Sequence, residues 1–393
     1  SSKSTESDDF QKDFYFMNTK DLSNHKDLYE DKEKLTESLE RYSSKVPLDL
    51  YRSDLRGVQK TKTLEMLAAE QLLITERIEK IFEKYPPNIV FVSSGTNILH
   101  SVAYYLSKFY KSKTYRVHSY LQGNINYAGQ RVWFCSNNKM KLSNLPEDSF
   151  GYDQTILKKR VDQLHNALKE RIYKPDKLSK QFISRRMPTT IQDFVRDVLR
   201  IIYYNLSKNY EVRLKRNLHL NRIKILFNSF RNYFIEVPIK KLTNRYFLFA
   251  LNTPYDSQVL IRAPEYKDFI SLINLLAGMM PFGYDLVLKE HPAFLGMLEN
   301  SSLKSIIKKN KSVKLLSRQT SFPDAVKNCK GVIILNNTAF IESILAKKPV
   351  ISLANGYFKG QGITEEVENL SEIRSIFQKI IENSEIEDKS EKL

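Results

Sequence analysis

Short apolar runs alternate regularly with helix-like stretches between residues 245 and 354. Such alternation is typical of a parallel sheet whose strands are connected by helices. The apolar runs predict strands at 245–252, 284–290, 312–317, 331–337 and 349–354, and the stretches between them predict helices at 266–280, 302–310, 322–329 and 339–348. This order predicts a doubly wound α/β unit.

The N-terminal part of the chain shows a shorter form of the same pattern. A helical stretch ends at "PP" (86–87), and "NIVFVSSGTN" (88–97) predicts a buried strand followed by a turn of small residues. A helix is expected next, over "ILHSVAYYLSKFY", and then strands near 115–121 and 131–136. We therefore expect an α/β protein with two Rossmann-like doubly wound lobes and a cleft between them.

A basic helical segment interrupts the alternation at residues 151–235. Between Lys158 and Lys241 there are 21 Lys and Arg residues against 7 Asp and Glu, and this stretch holds most of the chain's net charge of +17. Such a surplus favours polyanionic partners, namely nucleic acid, anionic lipid headgroups or phosphorylated substrates. The sequence contains no recognisable nucleic-acid-binding module, so we expect no nucleic-acid partner.

The compartment follows from the cysteines and the apolar runs. The chain has two Cys, Cys135 and Cys329, which is too few for a disulfide framework, and no apolar run is long enough to cross a bilayer. We expect a cytoplasmic protein, with peripheral contact at the inner face of the cell membrane as an open possibility. The chain begins at Ser1 without an initiator Met, so a further segment can precede it.

Charged residues follow the predicted strand 284–290 in "DLVLKEHPAF". Lys289, Glu290 and His291 lie where a parallel strand ends, and ligands of open parallel sheets bind beyond such ends. Lys and His can each donate to a phosphate, and Pro292 restricts the residue before it. The pattern indicates an anion site, although a surface loop with chance polar residues explains it equally well.

A second candidate follows the strand 331–337, where Asn336, Asn337 and Thr338 precede a helix. Asn and Thr are ordinary N-cap residues, so a simple capped helix is one interpretation. The other is a phosphate site at the helix N-terminus, with Glu342 reaching a ribose hydroxyl. Both candidate sites lie at strand ends of one predicted sheet, which favours a nucleotide held between them.

The N-terminal part offers weaker candidates. Ser94 and Gly95 lie in "SSGTN", the equivalent turn of the first lobe, and His118 opens a polar, aromatic stretch (118–130) that is a candidate cleft loop with His118 as base. No Walker motif, GxGxxG motif or metal-type spacing of His and Cys occurs. We therefore expect neither a metal nor another cofactor.

Residues 247–296, "FLFALNTPYDSQVLIRAPEYKDFISLINLLAGMMPFGYDLVLKEHPAFLG", resemble the C-terminal half of capsule-polysaccharide-type glycosyltransferases, a group that includes bacterial Kdo transferases of surface polysaccharide assembly. The "KEHP" turn and the later "GVIILNNTAFIESILAKKPVI" are similar to that family's motifs. The resemblance covers about residues 247–353. Asn337 stands where the family usually has Ser, and Lys347 where it usually has Gly.

The resemblance implies a GT-B-like fold whose C-terminal lobe (241–393) holds the donor, whereas the N-terminal lobe (1–240) faces the acceptor. It implies that Lys289 and His291 contact the donor phosphate and that Asn337 and Thr338 complete its cradle. The residue patterns described above add Asn336, Glu342, Ser94 and Gly95 as donor-site candidates, and the catalytic candidates are His291, Glu290 and His118. Because the "HP" turn recurs in transferases of CMP-activated acidic sugars, CMP is the preferred nucleotide.

The expected function is therefore transfer of a sugar from a nucleotide-sugar to a glycan or glycolipid acceptor, without a metal. Two alternatives share the fold: a polyol-phosphate transferase and a nucleotide-sugar epimerase. A third, less favoured, is a basic nucleic-acid-binding protein. The amphipathic stretch "FVRDVLRIIYYNL" (194–206) is a candidate contact with an anionic membrane surface, although its apolar face could equally be core.

Overall fold

The computed structural model describes residues 26–53, 63–93, 98–119, 133–136, 162, 190–207, 210–253, 259, 263–291, 295–354, 356 and 358–382. The chain divides into two compact units, Ser1–His118 and Ser119–Leu393. The predicted division into lobes at residue 240 stays a prediction, because compactness alone does not assign residues 119–240 to either lobe.

The first unit contains a β-α-β crossover. Its helices are α1 (Lys26–Glu30), α2 (Lys32–Glu40), α3 (Leu64–Lys84) and α4 (Ile98–Phe109), and its strands are β1 (Ile89–Ser93) and β2 (Lys113–Ser119). Thr63 caps α3, since its hydroxyl accepts a hydrogen bond from the Met66 amide at 3.3 Å. β1 and β2 pair in parallel, as the predicted alternation requires.

The core of this unit lies between α3 and α4. Apolar side chains spaced three or four residues apart face each other across the two helices: Ile74, Ile78 and Phe82 of α3, and Ile98, Val102 and Leu106 of α4. Burial of this stripe, rather than helix propensity alone, stabilises both helices.

The second unit contains the remaining elements. Its strands are β3 (Trp133–Ser136), β4 (Glu236–Val237), β5 (Tyr246–Ala250), β6 (Asp285–Lys289), β7 (Val313–Leu316), β8 (Gly331–Ile334), β9 (Val350–Ser352) and β10 (Glu365–Glu366). Its helices are α5 (Ile191–Leu206), α6 (Tyr210–Tyr233), α7 (Phe269–Met279), α8 (Asn300–Lys309), α9 (Phe322–Lys327), α10 (Ala339–Leu345) and α11 (Ile373–Glu382).

Seven of these strands form one parallel sheet in the order β10-β9-β8-β5-β6-β7-β4. β5 is central and is apolar along its whole length, which is typical of a strand covered on both faces. This confirms the predicted α/β class and the doubly wound C-terminal unit. The strands are up to three residues shorter at an end than the sequence suggests, and β8 begins at the predicted residue.

Alternate side chains of β5 enter two separate cores. Phe247 and Phe249 pack with residues of α7, α8 and α11 on one face of the sheet. Tyr246 and Leu248 pack with residues of α9 and α10 on the other face. Because successive side chains of a strand point to opposite faces, this five-residue segment holds both helix layers together.

The basic segment is helical where the structure describes it, as a hairpin of α5 and α6. Asp197 of α5 is buried and binds two basic residues of α6: its Oδ1 lies 2.7 Å from His219 Nδ1, and Arg222 Nε donates to its Oδ2 at 2.8 Å. The side of α5 that carries Asp197 therefore faces α6, whereas Val195, Leu199, Ile202 and Leu206 are exposed. Among the described residues, no helix is both long and apolar enough to cross a bilayer.

The backbone conformation at Lys347 shows why the family that this sequence resembles usually has Gly at this position. It follows α10 with φ of +56°, in the left-handed region that Gly adopts without steric cost. The Gly that the family usually has at this position suits this turn, and Lys adopts the same conformation at a cost of about 1–2 kcal/mol.

Candidate functional site

The carboxyl edge of the seven-stranded sheet has a topological switch between β5 and β8. From β5 the chain crosses through α7 to β6, whereas β8 lies on the other side of β5 and is followed by α10. The loops that leave β5 and β8 therefore run to opposite faces of the sheet. Because ligands of open α/β sheets bind in the crevice at such a switch, we place the candidate site here.

Three asparagine side chains meet at this switch point. Asn252 follows β5, and Asn336 and Asn337 follow β8. Asn337 Nδ2 donates to Asn252 Oδ1 and to the Ala250 carbonyl, each at 2.9 Å, and Asn252 Nδ2 donates to Asn336 Oδ1 at 3.5 Å. The cluster ties the two loops together across the crevice.

Asn337 also caps the helix that follows. Its Oδ1 accepts a hydrogen bond from the Ala339 amide at 3.2 Å, whereas the Thr338 side chain makes no capping hydrogen bond and is exposed. Both Nδ2 hydrogens and the Oδ1 of Asn337 thus have partners within the protein. Of the two capping candidates in the sequence, Asn337 is the cap, and the exposed Thr338 hydroxyl is the group that faces solvent.

The second predicted group follows β6. Lys289 ends this strand and is buried, Glu290 comes next and is buried, and His291 is exposed. β6 and β8 flank β5, so their ends lie about 10 Å apart, two strand spacings. The structure thus places the predicted groups on one edge, at a separation that the phosphate and sugar of a nucleotide can span.

Burial changes the ionisation of the Lys289–Glu290 pair. It lowers the pKa of the Lys289 ammonium, and it raises the pKa of the Glu290 carboxyl to about 7. Glu290 Oε1 accepts a hydrogen bond from the Gly296 amide at 3.2 Å. Glu290 therefore ties the end of β6 to Gly296, and its proposed catalytic role stays a prediction.

Three residues at this edge were not predicted from the sequence: Asn252, Glu236 and Arg318. Arg318 follows β7, and its Nε donates to Glu236 Oε1 at 2.7 Å. Asn252 and Arg318 lie just beyond the carboxyl ends of β5 and β7, and Glu236 begins β4, opposite Leu315 near the end of β7. Applying the strand-end rule to every predicted strand would have found Asn252 and Arg318. β4 has only two residues, which is too short a run to predict, so Glu236 had no such signal.

The other predicted site residues are less informative. His118 belongs to β2 rather than to a loop, and Glu342 is half-buried in the first turn of α10. Ser94 and Gly95 lie outside the described residues. Across the described ranges, no three His, Cys, Asp or Glu side chains form a metal-binding group.

Comparison with known proteins supports the resemblance that residues 247–353 carry. The family model for "Capsule polysaccharide biosynthesis protein" matches residues 152–377. Among solved structures, the chain is similar to the KpsC β-Kdo 2,7 transferase of Thermosulfurimonas dismutans (12% identity, TM-score 0.35, 74% of this chain and 73% of that chain). It is also similar to the UDP-GlcNAc 2-epimerase of Methanocaldococcus jannaschii (13% identity, TM-score 0.29, 81% and 75%). No curated protein matches the chain.

We predict that two adjacent substitutions in the 336–338 turn differ sharply in their effect on stability. Asn337→Ala removes three hydrogen bonds and should lower the free energy of unfolding by about 1–3 kcal/mol. Thr338→Ala, the matched control, removes an exposed hydroxyl and should change it by less than about 0.5 kcal/mol. Urea denaturation of both variants measures the difference. Equal losses would contradict the assignment of Asn337 as the residue that holds this turn.

Proposed function

The chain belongs to the capsule polysaccharide biosynthesis family, since the family model matches more than half of it, and from this premise we propose that it is a glycosyltransferase. Its donor is a nucleotide-activated sugar, and its acceptor is a growing cell-surface or capsular glycan. Neither a metal nor another cofactor takes part in the proposed reaction.

The observation that carries the proposal is the placement of polar groups at the switch point of the second sheet. The Asn252–Asn336–Asn337 cluster shapes the crevice between β5 and β8, and His291 is exposed at the end of β6, the next strand. This arrangement lies within the residues that the family model matches. A nucleotide-sugar that enters the crevice meets hydrogen-bond donors on both sides of β5.

The transfer exchanges one bond at the anomeric carbon for another. The acceptor hydroxyl oxygen bonds to that carbon, the bond from the carbon to the donor phosphate oxygen breaks, and the nucleotide leaves with the electron pair. A base takes the hydroxyl proton. Preorganised donors and cations that face the leaving phosphate lower the barrier because negative charge develops there.

We assign the leaving phosphate to His291, the Thr338 hydroxyl and the Lys289 ammonium. His291 and Thr338 are exposed and can reach a ligand directly. Lys289 is buried, so it acts chiefly through its charge. Candidates for the base are His118 and Glu290; the pKa of about 7 suits Glu290 to proton transfer near neutral pH, but its carboxyl is buried and bonded to Gly296.

CMP is the proposed nucleotide. The support is the resemblance of the "KEHP" turn at 289–292 to that of transferases with CMP-activated acidic sugars. A panel of CMP-, UDP- and GDP-sugars separates this proposal from its alternatives. An epimerase would change the sugar without an acceptor, and a polyol-phosphate transferase would leave phosphate in the product.

We predict that His291→Ala lowers sugar transfer by about 10²–10³-fold, because one contact to the developing phosphate charge is lost. The assay measures nucleotide release and the extended glycan from a CMP-activated acidic sugar and a glycan acceptor. His291 is exposed, so the variant should fold, and unchanged thermal unfolding is the control. A folded His291→Ala variant with wild-type turnover would remove His291 from the active site. A wild-type protein that transfers no sugar from any donor of the panel would contradict the proposed function.

We also propose that the enzyme works as a peripheral protein at an anionic membrane surface, with α5 as the contact. Val195, Leu199, Ile202, Tyr203 and Leu206 form an outward apolar stripe and are all exposed. Part of this stripe lines a shallow groove together with Arg196 and Arg200. An apolar helix face beside basic side chains matches the boundary between acyl chains and anionic headgroups.

Co-sedimentation with vesicles tests this location. We predict binding to vesicles that contain phosphatidylglycerol, none to vesicles of phosphatidylcholine alone, and weaker binding at about 0.5 M than at about 0.05 M salt, because salt screens the attraction. The double variant Leu199→Ser/Ile202→Ser should lower binding at least about tenfold, since it removes apolar area that would be buried in the membrane. Phe282→Ser, which removes an exposed apolar side chain outside α5, is the matched control. Equal binding by both variants would exclude α5 as the contact.

A further inference from the structure

Three charged side chains come together at the ends of β4, β6 and β7: Glu236, Lys289 and Arg318. Only Lys289 has a role in the proposed reaction. Lys289 is buried, and the side chains of Glu236 and Arg318 are 4% and 22% exposed. Burial of an ion pair is costly unless its hydrogen bonds are satisfied, so the partners of each group indicate its role.

The guanidinium of Arg318 is occupied by protein groups. Its Nε donates to Glu236 Oε1 at 2.7 Å, and its Nη1 and Nη2 donate to the Ser229 hydroxyl and carbonyl at 2.9 and 2.6 Å. The ring of Tyr233 lies 5.4 Å away on one side. Arg318 therefore holds the end of α6 and the carboxylate of Glu236 rather than a ligand.

The turn after β7 is held by hydrogen bonds on both sides of Ser317. The Ser317 amide donates to the Val237 carbonyl at 3.0 Å, and the Arg318 amide donates to Glu236 Oε2 at 2.9 Å. The carbonyl of Ser317 lies between these two bonds and accepts a hydrogen bond from Lys289 Nζ at 3.4 Å. Glu236 thus sets the orientation of the group that the Lys289 ammonium contacts.

We propose that Glu236, held by Arg318, is a positioning residue for Lys289: it fixes the Ser317 carbonyl against the ammonium and places a negative charge near it. The inference rests on the proposed function, in which the Lys289 charge stabilises the leaving phosphate. In this role Glu236 affects the reaction although it does not contact the substrate.

The charges around Lys289 support this role. Burial, the largest effect, lowers the pKa of Lys289, and Arg318 lowers it further, whereas Glu236 and Glu290 raise it. These three are the charged groups that act on Lys289 from the described residues. A charged ammonium is present below its pKa and is lost as the pH rises through it. Removal of the Glu236 charge lowers that pKa again, so the ammonium is lost at a lower pH.

A purely structural role for Glu236 predicts a loss of thermal stability without a change in the titration of Lys289. If the Glu236–Arg318 pair only docks α6 and β4 against β7, a variant at Glu236 loses thermal stability while the titration of Lys289 stays unchanged. The two roles are therefore separated by the ionisation of Lys289 itself, which can be measured without any nucleotide.

The test is the pH titration of the Lys289 side chain by NMR in protein with ¹³C-labelled lysine. The Lys289 Cε signal is assigned by its absence from Lys289→Met. In Glu236→Gln we expect Lys289 to titrate at a lower pH than in the wild type, and in Glu236→Asp at an intermediate pH, because the carboxylate is retained at a greater distance. Glu365→Gln, which removes the partner of Lys379 at the exposed 2.9 Å pair, is the matched control and should leave the titration unchanged.

An unchanged Lys289 titration in Glu236→Gln overturns the inference. If Glu236→Gln does not fold and Glu236→Asp does, an unchanged Lys289 titration in Glu236→Asp overturns it. A second readout is CMP affinity by calorimetry at several pH values, which should decline at a lower pH in Glu236→Gln than in the wild type. Wild-type protein that binds no CMP would contradict CMP as the nucleotide, yet the Lys289 titration would still decide whether Glu236 positions and charges Lys289.

Discussion

The crossover direction reverses at β5, and this reversal determines how helices cover both faces of the sheet in the second unit. A strand buried on both faces needs a helix layer on each side, and the alternation of Phe247 and Phe249 with Tyr246 and Leu248 supplies an apolar surface to both. To cover both faces, the chain must leave β5 and β8 in opposite directions. The crevice at their carboxyl ends is a consequence of this topology, so the core that stabilises the sheet also creates the place for a ligand.

Two polar networks stabilise this edge at different distances from the crevice. The asparagine cluster bridges β5 and β8 with neutral hydrogen bonds, which cost little to bury when all are satisfied. Farther along the edge, the Arg318–Glu236 pair binds α6 and β4 to β7. The α5–α6 hairpin is thereby attached to the same sheet as the candidate site, which provides a physical connection between the helix that we propose as the membrane contact and the candidate crevice.

Much of the second unit could be predicted because its signals are local. The alternation of apolar runs and amphipathic stretches identified the strands from β5 to β9 and the helices between them, and the strand-end rule placed Lys289, His291, Asn336 and Asn337 on one edge.

Contacts between distant segments were not predictable. Arg318 and Glu236 are 82 residues apart, and the two-residue strand β4 that brings them together leaves no periodic signal. The outward apolar face of α5 was equally hidden, because amphipathic spacing shows that a helix has two faces but not which one packs.

We propose that a nucleotide binds at the switch point between β5 and β8, and a crystal structure of the protein with CMP is the decisive measurement. We expect electron density for the nucleotide beyond the carboxyl ends of β5 and β8, with the phosphate within hydrogen-bond distance of His291 or Thr338. A nucleotide bound elsewhere on the chain, with this crevice occupied only by solvent, would show that the site is wrongly placed.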